Sequence, residues 1–267
     1  MIKFKDKLSM RGNIVTSSKK FSKITLASII AINTLSIINA SEVKAAETQS
    51  LSNISSLREE TIKGGIGGRA ILNSKGSILT TKITLPEIKQ GSSFKASGGT
   101  LYVYSGFSGQ VESDIGFQYS AIYNVWKPYM KVGRRGQDAV QYIEGKDNFT
   151  YKNGFKPGSE VQLTIYKNLN GATRATYWGI SNNGYASRLI SEIKNTNVSS
   201  VSNWKILSTI AVFRGTPERN IKVHKEYIAT FKNVVIDNKP VNPVIHATKG
   251  ANITTSSNSA AIKITTR

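Results

Sequence analysis

Two carboxylates and a dense run of aromatic residues stand together in residues 111–130, VESDIGFQYSAIYNVWKPYM. Successive side chains of an extended strand point to opposite faces, so Glu112 and Asp114 share one face. A pair of carboxyl groups facing a groove is what a glycosidase uses to protonate the leaving oxygen and to attack the sugar or activate water. If the chain is an enzyme, these two residues are its predicted catalytic groups.

The same stretch resembles the Glu-x-Asp-x-x-Glu strand of laminarinase- and lichenase-type hydrolases, which have a concanavalin-like sandwich. In that family the first Glu is the nucleophile and the last is the acid/base. Here Glu112 and Asp114 match, but Phe117 stands where the acid/base should be. A hydrolase would therefore need a third carboxylate from another segment. Three further acidic residues have the surroundings of a polar turn: Asp138, Glu144 and Asp147.

Several other chemistries are excluded or weakened by residue counts. The chain has no cysteine, which rules out thiol nucleophiles, thiolate metal sites and disulfides. Its two histidines, His224 and His246, are a very small pool for a histidine-based zinc site. A Ser-His-Asp triad is left open because its members meet only in the fold, although no Gly-x-Ser-x-Gly occurs. Polysaccharide lyase chemistry has tyrosine and arginine available but lacks a Gln-x-His strand motif. We predict no metal and no cofactor.

The aromatic residues fit ligand binding better, because their rings stack on sugar C–H faces. Trp126 and Tyr129 flank a proline that should place them at a bend or an edge. In the adjacent pair Tyr177-Trp178, one ring must face outward. Aromatic residues also fill sandwich interiors, so at least half of these rings should be buried. The predicted ligand-binding residues are Trp126, Tyr129, Tyr177 and Trp178 for stacking, with Arg134 and Arg135 for negative charge.

The remaining pattern predicts an all-β fold. Short apolar runs are separated by turn residues about every ten positions, which indicates an antiparallel β-sandwich of jelly-roll or concanavalin-like type. The clearest hairpin turns at Asn170-Gly171, and only residues 184–200 favour a helix. The sandwich domain is predicted at residues 69–243. Residues 244–267 should form an edge strand or be disordered.

The N-terminal region looks like an export signal. Residues 1–23 carry seven Lys or Arg against one acid, residues 24–40 are apolar, and small residues precede a cleavage point after Ala45 or Ala46. Residues 1–45 are therefore predicted to be a secretory signal, and residues 46–68 a polar, Gly-rich linker. No later segment is long and apolar enough to span a bilayer, so the product should be extracellular, either free or associated with the cell wall, as in Gram-positive bacteria.

Positive charge remains after processing. The whole chain has 36 Lys and Arg against 16 Asp and Glu, and loss of residues 1–45 leaves 28 against 14. Such a surface attracts polyanions. The basic residues of the remaining chain are only weakly clustered, with Arg134-Arg135 as the one doublet, which favours an anionic envelope polymer over a specific nucleic acid.

One further resemblance extends over residues 66–240. The segment DIGFQYSAIYNVWKPYM is similar to the Asp-x-Gly-Phe-Gln-Tyr-Ser and Tyr-x-x-Trp-x-Pro-Tyr pattern of the uncharacterised YrpD-type secreted proteins of Gram-positive bacteria. The resemblance implies export and a concanavalin-like sandwich, and it carries no known activity.

The first interpretation is therefore an exported, non-catalytic β-sandwich that binds carbohydrate or anionic cell-envelope polymers. The alternative is a polysaccharide-degrading enzyme, a glycoside hydrolase or lyase, that uses Glu112 and Asp114. A secreted virulence or membrane-active protein ranks third, because no amphipathic hairpin has an uninterrupted apolar face. The oligomeric state is left open.

Overall fold

The structure, a computed structural model, describes residues 64–88, 99–109, 111–134, 140–142, 154–184, 186–212, 221, 223 and 227–265, of which 134, 140–142, 186 and 187 by backbone only. All of the described residues belong to one compact unit. The predicted signal and the linker up to residue 63 lie outside the described residues. So do Arg135, Asp138, Glu144, Asp147 and His224.

The regular structure of the described residues consists of strands. They are β1 (Gly65–Leu72), β2 (Ile78–Thr84), β3 (Gly99–Ser108), β4 (Val111–Ser120), β5 (Val125–Arg134), β6 (Val140–Tyr142), β7 (Glu160–Leu169), β8 (Ala172–Ile180), β9 (Ala186–Ile193), β10 (Asn203–Val212), β11 (Tyr227–Ile236), β12 (Lys239–Pro240), β13 (Pro243–Lys249), β14 (Ala251–Ser256) and β15 (Ser259–Ile264). Among these residues, no helix is long and apolar enough to cross a membrane.

The strands form two antiparallel sheets. Sheet A has the order β13-β1-β10-β3-β4-β5-β6, and sheet B has the order β14-β15-β11-β2-β7-β8-β9, with β12 attached to β11. Their inner faces contribute to one hydrophobic core. In that core, the ring of Phe117 from sheet A lies 5.4 Å from the ring of Tyr177 from sheet B. The predicted all-β antiparallel sandwich is confirmed.

Period-two alternation decides which residues enter this core. In β4, Ile115, Phe117 and Tyr119 point inward and are buried, whereas Glu112 and Asp114 lie on the outer face. The inner aromatic side chains pack edge to face, as in the contact between Phe117 and Phe155 at 5.7 Å. The outer face of each sheet therefore holds the side chains that are available for function.

The helix suggested for residues 184–200 is wrong, because those residues include β9. Its inward side chains Leu189, Ser191 and Ile193 are buried, and Arg188 is exposed. Every residue from Ala186 to Ile193 pairs with β8, so the tertiary pairing overrides a weak local helix preference.

Two other local predictions can be compared with the structure, the hairpin turn and the C-terminal residues. Asn170 and Gly171 have φ values of 54° and 82°, which are the left-handed angles expected of the predicted primed hairpin turn. The C-terminal residues form β13, β14 and β15, of which β13 and β14 lie at sheet edges.

Pro128 does not bend the chain, because it lies within β5 opposite Phe117. It lies outside Met130–Val132, the part of β5 that pairs with β6.

Candidate functional site

The carboxylate pair lies on the outer face of sheet A, where a buried lysine holds it. Lys205 of β10 is 7% exposed, and its Nζ is 2.9 Å from Asp114 Oδ1 and 3.3 Å from Glu112 Oε2. The lysine faces Gly106 of β3, which has no side chain to obstruct it as it reaches across that strand to β4. Glu112 also accepts a hydrogen bond from the N–H of Gly109 at 3.3 Å. Both carboxylates are thus engaged in structural contacts.

This arrangement gives no support to glycoside hydrolysis by Glu112 and Asp114. A hydrolase needs one carboxyl group that carries a proton and a second that attacks the sugar or activates water. The ammonium of Lys205 lies between both groups instead. No third carboxylate joins them from the described residues, where the remaining acids are on or next to strands of sheet B: Glu87, Glu160, Glu192 and Asp237.

Three tyrosines lie beside this cluster on the same face. Tyr104 and Tyr129 stand on either side of Gly116, and Tyr102 packs edge-on against both, with centroid distances of 6.2 Å and 5.2 Å. Burial raises the pKa of Tyr104 well above its ordinary value, and the nearby Asp114 carboxylate raises it further. Burial also raises the pKa of Tyr129. The hydroxyl groups of Tyr104 and Tyr129 therefore stay neutral across the physiological pH range.

Two of the four predicted stacking rings, Trp126 and Tyr177, are in the core, whereas Tyr129 lies on the outer face of sheet A. Trp126 is fully buried on the inner face, and its Nε1 donates a hydrogen bond to the carbonyl of Pro86 at 3.1 Å. Tyr177 is also fully buried, and Tyr129 is 8% exposed. Of the predicted bend or edge, the bend is not found, since β5 is regular and its alternation sends the ring of Trp126 inward. A buried ring cannot stack on a ligand, so Trp126 and Tyr177 are not retained as ligand contacts.

Trp178 has the opposite environment. It points outward from sheet B, is 56% exposed, and lies between Gln162 of β7 and Arg188 of β9. On its own strand the flanking outward residues are Thr176 and the exposed Ile180. This is the predicted stacking residue that is positioned to contact a ligand.

The neighbours of Trp178 continue across the sheet as a straight line of residues, which we call the Trp178 row: Lys232, Lys82, Gln162, Trp178 and Arg188. Lys82 and Lys232 lie 3.5 Å and 4.0 Å from the two oxygens of Glu160. Arg188 is exposed and forms no ion pair within the described part of the chain. Of the predicted cationic contacts, Arg134 ends β5 with only its backbone described, and Arg135 lies outside the described residues.

The potential metal ligands of the described residues are dispersed. Within them, no group of three or more His, Cys, Asp or Glu side chains is placed to hold a metal ion. His246 stands near Arg69, and its pKa is lowered by partial burial and by that guanidinium.

Comparison with known proteins gives the family. A family model described as a domain of unknown function, YrpD, matches residues 59–264. The chain belongs to the YrpD family. Its relative from Bacillus subtilis (strain 168), named "Uncharacterized protein YrpD", is 58% identical over 200 residues, covering 75% of this chain and 81% of the relative. The resemblance found in residues 114–129 is thereby confirmed.

Solved structures show only distant likeness to this YrpD chain. A scytalido-glutamic peptidase with a transition-state analogue has a TM-score of 0.48 and 12% identity over 75% of this chain and 98% of its own. An alginate lyase from Klebsiella pneumoniae has a TM-score of 0.31 and 11% identity over 72% and 59%. At these values neither likeness carries an argument about chemistry.

Sequence reasoning missed three residues that define these surfaces in the YrpD chain: Lys205, Gln162 and Arg188. Lys205 reaches its partners across an intervening strand, and no local pattern reveals such a contact. Gln162 and Arg188 occupy outward positions of strands whose alternation is visible in the sequence. The signal for them was available, but it required the register of β7, β8 and β9.

Proposed function

We propose that this YrpD protein is an exported, non-catalytic β-sandwich that binds carbohydrate or anionic cell-envelope polymers. The observation that carries the proposal is the exposed ring of Trp178 on the outer face of sheet B. Trp178 and the exposed Ile180, two residues further along the same strand, form an apolar patch with polar neighbours, and such patches mark interaction sites. A tryptophan ring offers a planar apolar surface for the C–H face of a sugar.

The polar neighbours of Trp178 support the same proposal. Gln162 and Arg188 lie directly opposite it on the two adjacent strands, close enough for their side chains to reach a ligand that covers the ring. The amide of Gln162 both donates and accepts hydrogen bonds, and the guanidinium of Arg188 donates them. A hydrophobic ring flanked by a few oriented polar groups is the usual composition of a ligand site.

The charge of the chain supports the anionic side of the proposal. Lys and Arg exceed Asp and Glu by 36 to 16 over the whole sequence. A net positive protein is drawn to anionic polymers, and this attraction falls as the ionic strength rises. Export and envelope association follow from the predicted signal in residues 1–45 and are part of the proposal.

The test is retention of the purified protein on peptidoglycan with its anionic polymers, on peptidoglycan stripped of them, and on soluble glycans in affinity electrophoresis. Wild-type protein should bind at least one of these polymers, and Trp178→Ala should weaken that binding about tenfold or more. Ile228→Ala is the matched control, because Ile228 is 46% exposed on the same outer face but off the Trp178 row. Retention on none of the polymers, or equal loss in both variants, would contradict the proposal.

A further inference from the structure

We infer that the Trp178 row binds an acidic polysaccharide, a polymer of sugar rings that themselves carry carboxylates, and that the polysaccharide lies across the strands of sheet B. The inference rests on the proposed function and makes it specific. The proposed function needs only that the surface around Trp178 bind some polymer, whereas this inference names its chemistry and its direction.

The row has the dimensions of an extended ligand. Its five residues come from the neighbouring strands β11, β2, β7, β8 and β9, one from each. Adjacent strands are about 4.8 Å apart, so Arg188 is about 5 Å and Lys82 about 10 Å from Trp178, on opposite sides of it. Cationic groups therefore flank the ring over a span of about 14 Å, which exceeds a single sugar unit and fits several consecutive units.

The residues beside the row keep the surface open. The next line across the sheet consists of three short side chains, Thr80, Thr164 and Thr176, and ends at Ile190. The hydroxyl groups of Thr80 and Thr164 are 3.1 Å apart and hydrogen bonded. Threonines are too short to stand above the tryptophan ring, and their hydroxyl groups can bond to a polar ligand. A polymer can thus lie on Trp178 without obstruction from this side.

The charge of the row is unbalanced. Three cations lie in it, and Glu160 is the only acidic group paired with any of them among the described residues. Both Lys82 and Lys232 approach that single carboxylate, and both side chains remain about half exposed. By contrast, Arg174 on the same face is satisfied by Glu192, with its Nε 2.7 Å from a carboxylate oxygen. Arg188 has no such partner in the part of the chain that the structure describes, so it is available to an anionic ligand.

The combination of ring and cations selects the ligand class. Stacking on Trp178 requires a sugar ring, which a polyol phosphate backbone does not offer. A guanidinium binds a carboxylate through two parallel hydrogen bonds, and such charge-assisted bonds are stronger than those to neutral hydroxyl groups. A neutral glycan would use the ring but leave the excess cations without a partner. A polysaccharide with carboxylates on its rings uses both features.

The experiment compares three probes with the purified full-length protein: polygalacturonate, a neutral β-glucan of similar length, and a poly(glycerol phosphate). We expect polygalacturonate to bind most tightly and to be released by salt. Arg188→Gln should weaken that binding about tenfold, since it removes a charge-assisted hydrogen-bonding pair. Lys82→Gln should weaken it about twofold to fivefold, because Lys82 already shares Glu160. The matched control is Lys239→Gln, an exposed lysine in β12 that lies off the row.

Each outcome decides the question. Binding to polygalacturonate that falls in Arg188→Gln and stays unchanged in Lys239→Gln supports the inference. Equal binding of polygalacturonate and the neutral glucan, with Arg188→Gln unchanged, overturns it but leaves the proposed function in place if Trp178→Ala still loses binding. Preference for poly(glycerol phosphate) over polygalacturonate also overturns it. Failure to bind any of the three, together with no retention on peptidoglycan, rejects the inference and the proposed function alike.

Discussion

The contact between Lys205 and the two carboxylates makes a sharp prediction about stability. Lys205→Met keeps most of the apolar stem and removes the ammonium that lies 2.9 Å from Asp114 and 3.3 Å from Glu112. A hydrogen bond between charged groups contributes about 1.5–3 kcal/mol when it is mostly shielded from water. Asp114, at 31% side-chain exposure, belongs near the lower end of that range. Glu112 is 44% exposed, so solvent screening reduces its share to about 0.2–1 kcal/mol.

The free energy of unfolding of Lys205→Met should therefore fall by about 2–3 kcal/mol. Urea unfolding followed by tryptophan fluorescence measures this change. The matched control is Lys131→Met, because Lys131 lies on the same face opposite Asp114 but makes no ion pair within the described residues. Its cost should stay within about 0.5 kcal/mol, as for ordinary surface substitutions.

A double-mutant cycle then separates the two carboxylates. The coupling of Lys205→Met with Asp114→Asn should be about 1.5–2 kcal/mol, and the coupling with Glu112→Gln should be below about 1 kcal/mol. If Lys205→Met costs no more than Lys131→Met, the ion pairs are not structural. In that case the main objection to a catalytic role for Glu112 and Asp114 disappears.

Three other predictions follow from single contacts. Gly179→Ala should lower the free energy of unfolding by about 1–3 kcal/mol in urea titrations, since a Cβ at this position would lie 2.7 Å from a methyl group of Val161; an unchanged midpoint would contradict the packing. Burial raises the pKa of Tyr119 to about 12, so its stabilising contribution is complete below pH 10 and is lost as the pH rises through 12. Tyr119→Phe also loses the 2.7 Å hydrogen bond to Asn124. Above pH 10 its free energy of unfolding should accordingly depend less steeply on pH than that of wild type, and equal pH dependence of the two would refute the raised pKa of Tyr119. Trp178→Phe should abolish most of the acrylamide-quenchable tryptophan emission, because the chain's two other tryptophans are fully buried; unchanged quenching would place the exposed ring elsewhere.

The part of the fold that follows from the sequence is the part encoded by local alternation. In β4, period-two alternation placed Glu112 and Asp114 on one face, as the structure has them. The left-handed turn at Asn170-Gly171 was equally local. In each case a few consecutive residues contain all the information, because the strand geometry fixes where the side chains point.

Lys205 shows why the chemistry of the carboxylate pair could not be read in the same way. Lys205 is 93 positions from Glu112 in the sequence. Strand β3 lies between β10 and β4, and the side chain of Lys205 can cross it because Gly106 stands at the crossing point. A carboxylate pair on one strand looks the same in the sequence whether it faces a substrate or a buried ammonium. Its meaning depends on the order of strands in the sheet, which alternation does not reveal.

The outward position of Trp178 depends on one irregularity in the β7–β8 hairpin. At the turn Leu169 pairs with Ala172, and an unbroken register would pair the inward Leu163 with Trp178. A bulge between Tyr166 and Leu169 shifts the pairing by one residue, so that Leu163 meets Tyr177 and the ring of Trp178 turns to solvent.

Side chains at the bulge and turn hold this shift in place. The Thr173 hydroxyl donates a hydrogen bond to the carbonyl of Lys167 at 3.0 Å, and Asn168 Oδ1 accepts one from the N–H of Gly171 at 2.9 Å. By size and hydrophobicity alone, Trp178 and Ile180 would be expected in the core, and Gly179 between them would be expected on the surface. The chain instead exposes the tryptophan through a bulge stabilised by polar contacts. The binding role that we propose for Trp178 depends on this exposure, and therefore on the bulge that produces it.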